Sequence, residues 1–374
     1  VFLLDRFVGF AIPVFIQQLL AGLGALGVFP HTVLRNARLP EVNSAPIKPS
    51  WPIANWFIMA VFGLFAAVFA AFAELRLETG IGFMRDIALL GGIGPGVFLF
   101  QQVFAFSLSG IGWIKNAWTR REPFAPPVAI IVPAYNEAHG IAQTIQSVDR
   151  AAQTYPGHIR IYIIDNNSRD ETAAVARDAI EACEQIDGVV LSCTIPGKAH
   201  ALNHGLAHIT EEFICRIDAD TFIADGCLET TMRHFVNPDV GSVGGLALPM
   251  PGSGVIGEVR LIEILLRHGF YQVALGAFGG ILGIPGMFVV YRRSAMEEAG
   301  GITSGMNGED TDICLRIANL GYKLIADPKA KFYTEVPLNY THLREQRLRW
   351  FRSLYHVVAH NRRILLYPRS ITGS

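Results

Sequence analysis

Apolar positions along the chain follow two different patterns. Residues 7–29, 53–73 and 87–114 are three long apolar runs without a single Asp, Glu, Lys or Arg. Each exceeds the roughly 20 residues that cross a bilayer core as a helix, so three transmembrane helices are predicted. From residue 128 onward, short runs of strand length take over: "VAIIV" (128–132), "IRIYII" (159–164), "GVVLSC" (188–193) and "EFICRI" (212–217). Between them, stretches near 137–154, 170–185 and 198–209 have helical spacing. Strand–helix alternation of this kind predicts an α/β unit with a mostly parallel sheet covered on both faces. A further strand is predicted in "GIPGMFVVYRR" (283–293). A helix then opens at Glu309 and Asp310, with Ile313, Leu315, Ile317 and Leu320 as its apolar face. The predicted organisation is a membrane region over 1–121, an α/β domain over 122–339 beginning at the Pro-rich joint "EPFAPP", and an amphipathic interfacial helix with a tail over 340–374.

The first run is too long for a secretory signal and lacks a small-x-small cleavage pattern. Gln17, Gln18, Gln101 and Gln102 lie inside apolar runs, where they are expected to bridge helices. Arg35, Arg38 and Lys48 face only Glu41 in the first connecting segment, and Lys115, Arg120 and Arg121 face only Glu122 after the third run. The segment between the second and third runs has no positive excess. Lys and Arg accumulate on the cytoplasmic side. A multi-pass protein of the cell membrane is therefore expected, with its N-terminus outside and everything after residue 115 cytoplasmic. The glycines of "GGIGPG" (91–96) lie within an apolar run and lack a following Lys-Ser/Thr, so they do not form a phosphate loop.

Composition agrees with a membrane region. The 374 residues are 51% hydrophobic and 17% charged, against roughly a quarter charged in soluble domains. A net charge of −1 gives no electrostatic basis for a nucleic-acid partner. The five cysteines include no CxxC pair and are odd in number, as expected of reduced thiols.

In open α/β sheets the ligand crevice lies at the carboxyl ends of the strands. Here those ends carry "PAYNE" (133–137), "DNNSRD" (165–170) and "DADTF" (218–222), which deliver carboxylates to one rim. An Asp-x-Asp pair in isolation fits a solvated turn. After a buried strand and beside two other acidic strand ends, it fits a shared Mg²⁺ or Mn²⁺, which prefers oxygen ligands and phosphate. Acids at 309, 310 and 312 suit a helix start. Their glycine-rich lead-in (300–308) also suits a loop that moves or touches a ligand. His200, His204 and His208 have zinc-like spacing, but no HExxH carboxylate accompanies them.

Six motifs occur in order: "VPAYNE", "IIDNNS", "PGKAHALNHGLA", "DADT", "GEDTD" and "QRLRW". Over about residues 126–353 the chain resembles the membrane-embedded, inverting family-2 glycosyltransferases. Within them it most resembles the processive synthases of cellulose, chitin, hyaluronan and poly-N-acetylglucosamine. The resemblance implies a Rossmann-like GT-A domain on the cytoplasmic side, a UDP-sugar donor, Mg²⁺ or Mn²⁺, and hexosyl transfer to a growing polysaccharide. Asp165 resembles the aspartate that holds the uridine, helped by the turn of Ala134, Tyr135 and Glu137. Lys198 resembles the lysine near the diphosphate. Asp218 resembles the aspartate facing the nucleotide, and Asp220 the metal ligand proper. Asp310, next to Glu309, resembles the general base. Gly308 stands where family members commonly have Thr or Ala, a change expected to matter little for the base. "DNNS" departs from Asp-Asp-Gly-Ser, so any role of a second acid passes to Asn166 or is lost.

Gln346, Arg349 and Trp350 fall at i, i+3 and i+4 on a predicted helix and so share one face. Arg349 can grip a diphosphate in two-point fashion, and Trp350 suits stacking under the acceptor's terminal sugar, with Gln346 beside it. Phe351, Leu354, Tyr355 and Val358 form an apolar stripe suited to membrane lipids, with Arg344 and Arg352 on anionic headgroups. An alternative within enzymes is a single transfer to a lipid or polyprenyl phosphate. A third possibility, a non-enzymatic membrane scaffold, fits poorly with five intact acidic and basic motif residues. A chain that starts on Val1 and stops at Ser374 is expected either to lack flanking segments or to complete its channel with another membrane subunit or as a homo-oligomer.

Overall fold

The computed structural model describes residues 95–118, 123–252, 254–277, 279–337 and 339–365, with 38–46 and isolated positions between 23 and 68. The chain forms two compact units, residues 1–38 with 51–107 and residues 39–50 with 108–374. The predicted spans 7–29 and 53–73 lie almost wholly outside the described residues. The third overlaps helix α1, Pro95–Trp118. Among the described residues, no helix is long and apolar enough to cross a membrane.

The second unit is built on one eight-stranded sheet. Its parallel half comprises β1 (Val128–Ala134), β2 (Ile159–Asp165), β3 (Asp187–Ser192) and β4 (Phe213–Ile217) in the order β3-β2-β1-β4. Helices α2 (Ile141–Ala152), α3 (Thr172–Glu181) and α4 (Lys198–Leu206) connect these strands. Side chains alternate across a strand. Val128, Ile130 and Val132 accordingly enter one core, beneath α2, while Ala129 and Ile131 enter a second core on the opposite face. α2 presents Ile141, Thr144, Ile145, Val148 and Ala152 as its buried stripe, the spacing that one helical face requires.

Beyond β4 the expectation of a mostly parallel sheet fails. Strand β5 (Thr221–Ile223) and helix α5 (Cys227–Met232) lead to β6 (Val240–Pro249). Helix α6 (Gly254–Ile264), a π-helical segment (Leu265–Tyr271) and α7 (Gln272–Ala277) follow, and then β7 (Phe288–Arg292). After the short α8 (Arg293–Glu298) and α9 (Glu309–Asn319), strand β8 (Lys323–Thr334) completes the sheet. β7 runs antiparallel to both β4 and β6, β8 pairs parallel with β6, and β5 pairs antiparallel with β8. The sheet is therefore mixed. β6 was hidden in the sequence by its glycines. A Cβ on Gly244 would lie 2.1 Å from Ile284, and one on Gly245 would lie 2.2 Å from the Ala330 carbonyl. Glycine here permits close approach of neighbouring backbone and side chains, not a turn.

α9 begins at Glu309 and buries Ile313, Leu315 and Ile317 as predicted. The long helix α10 (Tyr340–Leu365) packs onto it. Asn361 donates to Asp312 Oδ1 at 2.6 Å, and the Asn307 N–H donates to His356 Nδ1 at 3.0 Å. Residues 39–46 also join this unit: the Asn43 N–H reaches the His360 carbonyl at 2.8 Å.

Candidate active site

The carboxyl ends of β1, β2 and β4 surround a cavity of about 560 Å³. Its lining includes Ala134, Tyr135, Glu137, Asn166, Lys198, Asp218 and Asp220. Two residues after the strands, Asn136 (φ 56°) and Asn167 (φ 62°), adopt left-handed backbone, which Asn tolerates better than most residues. These turns are stitched together. The Asn136 N–H donates to Ser168 Oγ, the Glu137 N–H to Thr172 Oγ1 and the Arg169 N–H to Asn136 Oδ1.

Asn166 explains the departure from a second acid. Its Nδ2 donates to the Ile195 carbonyl at 2.7 Å and the Cys193 carbonyl at 3.3 Å, while its Oδ1 accepts from the Gly197 N–H at 2.7 Å. A carboxylate could not supply the two donations. This clamp fixes the segment leading to Lys198, the first residue of α4. Lys198 Nζ lies 2.6 Å from Asp218 Oδ1. The turn carrying Asp218 and Asp220 is in turn held by α2, because Thr144 Oγ1 donates to the Ala219 carbonyl at 2.6 Å.

Burial first, and the neighbouring Asp218 second, push the Asp220 carboxyl up to about 6. Burial likewise raises Glu137, opposed by His139 and reinforced by Glu335, Asp170 and Asp218. Crowded carboxylates of this kind favour a cation. Among the described residues, no group of three His, Cys, Asp or Glu forms a complete cage. The donor set is two carboxylates one residue apart, and its oxygens fit a hard divalent ion that completes its shell with phosphate oxygens and water.

Asp165 closes β2 next to Asn166 and is 9% exposed; its Oδ1 is buried without a partner. It stands outside the cavity lining, as do Glu309, Asp310, Gln346, Arg349 and Trp350. Asp310 Oδ2 accepts the Gly286 N–H at 2.9 Å, and its Oδ1 accepts the Thr311 N–H at 2.7 Å. Glu309 Oε1 lies 2.7 Å from Arg216 Nη2. Burial opposes ionisation of Glu309, but Arg216 and then Lys198 outweigh it and hold its carboxyl below the usual range. Arg216 sits inside the apolar run predicted as a strand, and no motif marks it. The signal was present, since a permanent charge inside a strand buried at all five positions requires a carboxylate partner.

On α10, Arg349 is exposed, whereas the Trp350 ring is enclosed by guanidinium groups. Those of Arg347, Arg260 and Arg267 lie 4.6, 5.0 and 5.7 Å from its centroid. Glu263 receives both Arg347 and Arg260 and ties α10 to α6. The His204 and His208 rings lie 5.0 Å apart, tilted at 60° to one another, with His208 Nδ1 on the His204 carbonyl. The five cysteines are free thiols, four of them buried.

Residues 129–300 match the family described as Glycosyl transferase family 2. This segment is thus similar to family-2 glycosyltransferase domains. A poly-beta-1,6-N-acetyl-D-glucosamine synthase of Staphylococcus epidermidis is 28% identical over 273 residues, 70% of this chain and 65% of that protein. An N-acetylglucosaminyltransferase of Rhizobium meliloti is 28% identical over 242 residues, 62% of this chain and 56% of that protein. The chain thus spans somewhat under two thirds of the length of these relatives. A similar solved structure is a mannosyltransferase of Pyrobaculum calidifontis in complex with GDP-Man and Mn²⁺. It has a TM-score of 0.54 and 25% identity, covering 69% of this chain and 74% of that one. The mixed-sheet architecture is accordingly GT-A-like, and the chain is similar to family-2 polysaccharide synthases.

Proposed function

We propose that the protein transfers a sugar, with inversion, from a UDP-sugar to the hydroxyl of a growing polysaccharide at the cytoplasmic face of a membrane. The observation that carries this reading is the convergence of Glu137, Lys198, Asp218 and Asp220 on one cavity at the carboxyl ends of parallel strands. Similarity to a polymer-forming N-acetylglucosamine synthase supports extension of a chain over a single transfer. The exposed apolar stripes Val255, Val259, Ile262 and Leu266 on α6 and the adjoining π-helical segment, and Phe351, Leu354 and Val358 on α10, support a membrane-facing location.

In this reading Asp220 and Asp218 hold Mg²⁺ or Mn²⁺, which supplies Lewis-acid stabilisation of charge on the departing diphosphate. Asp165, with an acceptor oxygen left unpartnered, receives the uracil N–H beside the turn of Ala134 and Tyr135. Lys198, paired with Asp218 in this structure, turns its ammonium to the diphosphate. The acceptor oxygen bonds to the anomeric carbon as the bond to diphosphate breaks, and the electron pair leaves with UDP. Asp310 takes the hydroxyl proton as the nucleophile forms. Arg349 meets the diphosphate, while Trp350 exchanges its guanidinium neighbours for the acceptor sugar with Gln346 at its side.

The test is purified protein in lipid nanodiscs, supplied with a panel of UDP-sugars and Mg²⁺ or Mn²⁺, followed by sizing of the products. Polymer of increasing length is expected. UDP release with only mono-glycosylated lipid would instead establish transfer to a lipid acceptor.

A further inference from the structure

Arg216 lies on β4 two residues before Asp218, and its side chain is only 3% exposed. Strand alternation puts it on the face of Ile214, the face that α9 covers through Ile313 and Ile317. Its Nη2 holds Glu309 at 2.7 Å, while its Nε and Nη1 are buried without partners. Burying a guanidinium with two unused donor nitrogens is unfavourable relative to an apolar side chain of like volume. Packing alone therefore gives no reason for it.

Gly286 supplies the second link. A Cβ on Gly286 would lie 2.6 Å from Arg216 Cζ, so the guanidinium passes directly against its backbone. The same residue's N–H donates to Asp310 Oδ2 at 2.9 Å. One buried cation thus touches Glu309 directly and also touches the glycine whose N–H holds Asp310, the two carboxylates at the start of α9.

We propose that Arg216 is a positioning residue for sugar transfer. It sets the Asp310 carboxylate through Glu309 and through the Gly286 backbone, and so links the strand that leads into Asp218 to the base. This rests on the reading of Asp310 as the base that receives the acceptor's proton. Misplacing a reacting group by about 1 Å costs roughly 100-fold in rate, which is the scale expected here.

The full chain in nanodiscs is compared as wild type, R216M, R216K, E309Q, R216M/E309Q and D310N. Transfer kcat, donor KM and UDP binding are measured for each. R216M is expected to lose about 100-fold in kcat, with UDP affinity unchanged within twofold. R216K, which keeps a cation for Glu309 but not the planar fork against Gly286, is expected to recover part of that loss. Where R216M fails to fold, the comparison of R216K with wild type carries the test. Because the effect runs partly through Glu309, R216M is expected to cost less in the E309Q background than alone. Undiminished kcat in both R216M and R216K, fully additive losses in the double variant, or a fall in UDP affinity that matches the fall in kcat would overturn the positioning role. An inert D310N beside undiminished R216M and R216K overturns that role alone. A wild type inert toward every donor, or a fully active D310N, overturns the base assignment and this inference with it.

Discussion

Gly308 and Ser353 lie so close that a Cβ on Gly308 would be 2.9 Å from the Ser353 Cβ, and 3.0 Å from Val357 Cγ2. Gly308 also has φ 83°, a left-handed conformation, and directly precedes Glu309. The helix that carries Gln346, Arg349 and Trp350 is therefore packed on the backbone of the loop that leads into Glu309 and Asp310. No local pattern around Gly308 records this contact, which lies more than forty positions further along the chain.

Gly308→Ala is expected to destabilise the protein by about 1–3 kcal/mol, from overpacking and a strained positive φ together. Thermal unfolding checks this. Because the pressure falls between α9 and α10, proteolysis within α10 should accelerate more than cleavage in the parallel half of the sheet.

Asn166→Asp exchanges two donations to carbonyl oxygens for carboxylate–carbonyl repulsion. Loss of these buried bonds is expected to cost about 1–3 kcal/mol, and the segment bearing Lys198 should loosen. Calorimetric titration with UDP and Mn²⁺ should show at least tenfold weaker binding. Asn166→Ala should be affected less, since it removes the bonds without adding a repelling charge.

His356 accepts the Asn307 N–H through Nδ1, which requires that nitrogen to be unprotonated. Burial, with Arg352 assisting, holds its pKa below the ordinary imidazole value of 6.5. The folded state thus resists a proton that the unfolded state accepts below about 6.5. Its contribution is present above that pH and is lost as the pH falls toward the folded value. Unfolding free energy measured from pH 8 to 5 should decline on the acid side in the wild type. His356→Asn should flatten that part of the curve.

Glu263, already paired with Arg260 on its own helix α6, joins α6 to α10 through Arg347, and its carboxyl is lowered to about 2, mainly by the hydrogen bonds from Arg347. The tie is expected to persist at full strength above the unfolded value and to fail as the pH drops toward 2. Glu263→Gln should cost about 1 kcal/mol, since the pair is partly exposed. Its signature should be a change in Trp350 fluorescence, read as the difference from a Trp350→Phe control.

The parallel half of the domain was legible in the sequence. β1 to β4 begin and end within one or two residues of the predicted runs, because each is a short apolar segment closed by a polar turn. β6 and β8 lack that signal. β6 carries glycines where neighbours approach closely, and β8 interrupts its alternation with Asp327, which is buried by its bond to His234 at 2.8 Å. Antiparallel insertion of β7 between β4 and β6 is a matter of long-range pairing, and no local pattern records it.

The sequence by itself determined the chemistry available: acids at the strand ends, a lysine opening α4, and an arginine-tryptophan motif on an amphipathic helix. Local periodicity and turn residues are enough for that, since they act over a few positions. Only the tertiary structure decided which of these groups are neighbours. It set Lys198 on Asp218, put Asn166 to work as a clamp, closed three guanidiniums around Trp350 and buried Arg216 between Glu309 and Gly286. Apart from Arg347, three positions from Trp350 on the same helix, each contact joins residues at least twenty positions apart along the chain, or depends on the space left by a missing side chain. Pairings of that kind are settled by packing and desolvation once the sheet has formed.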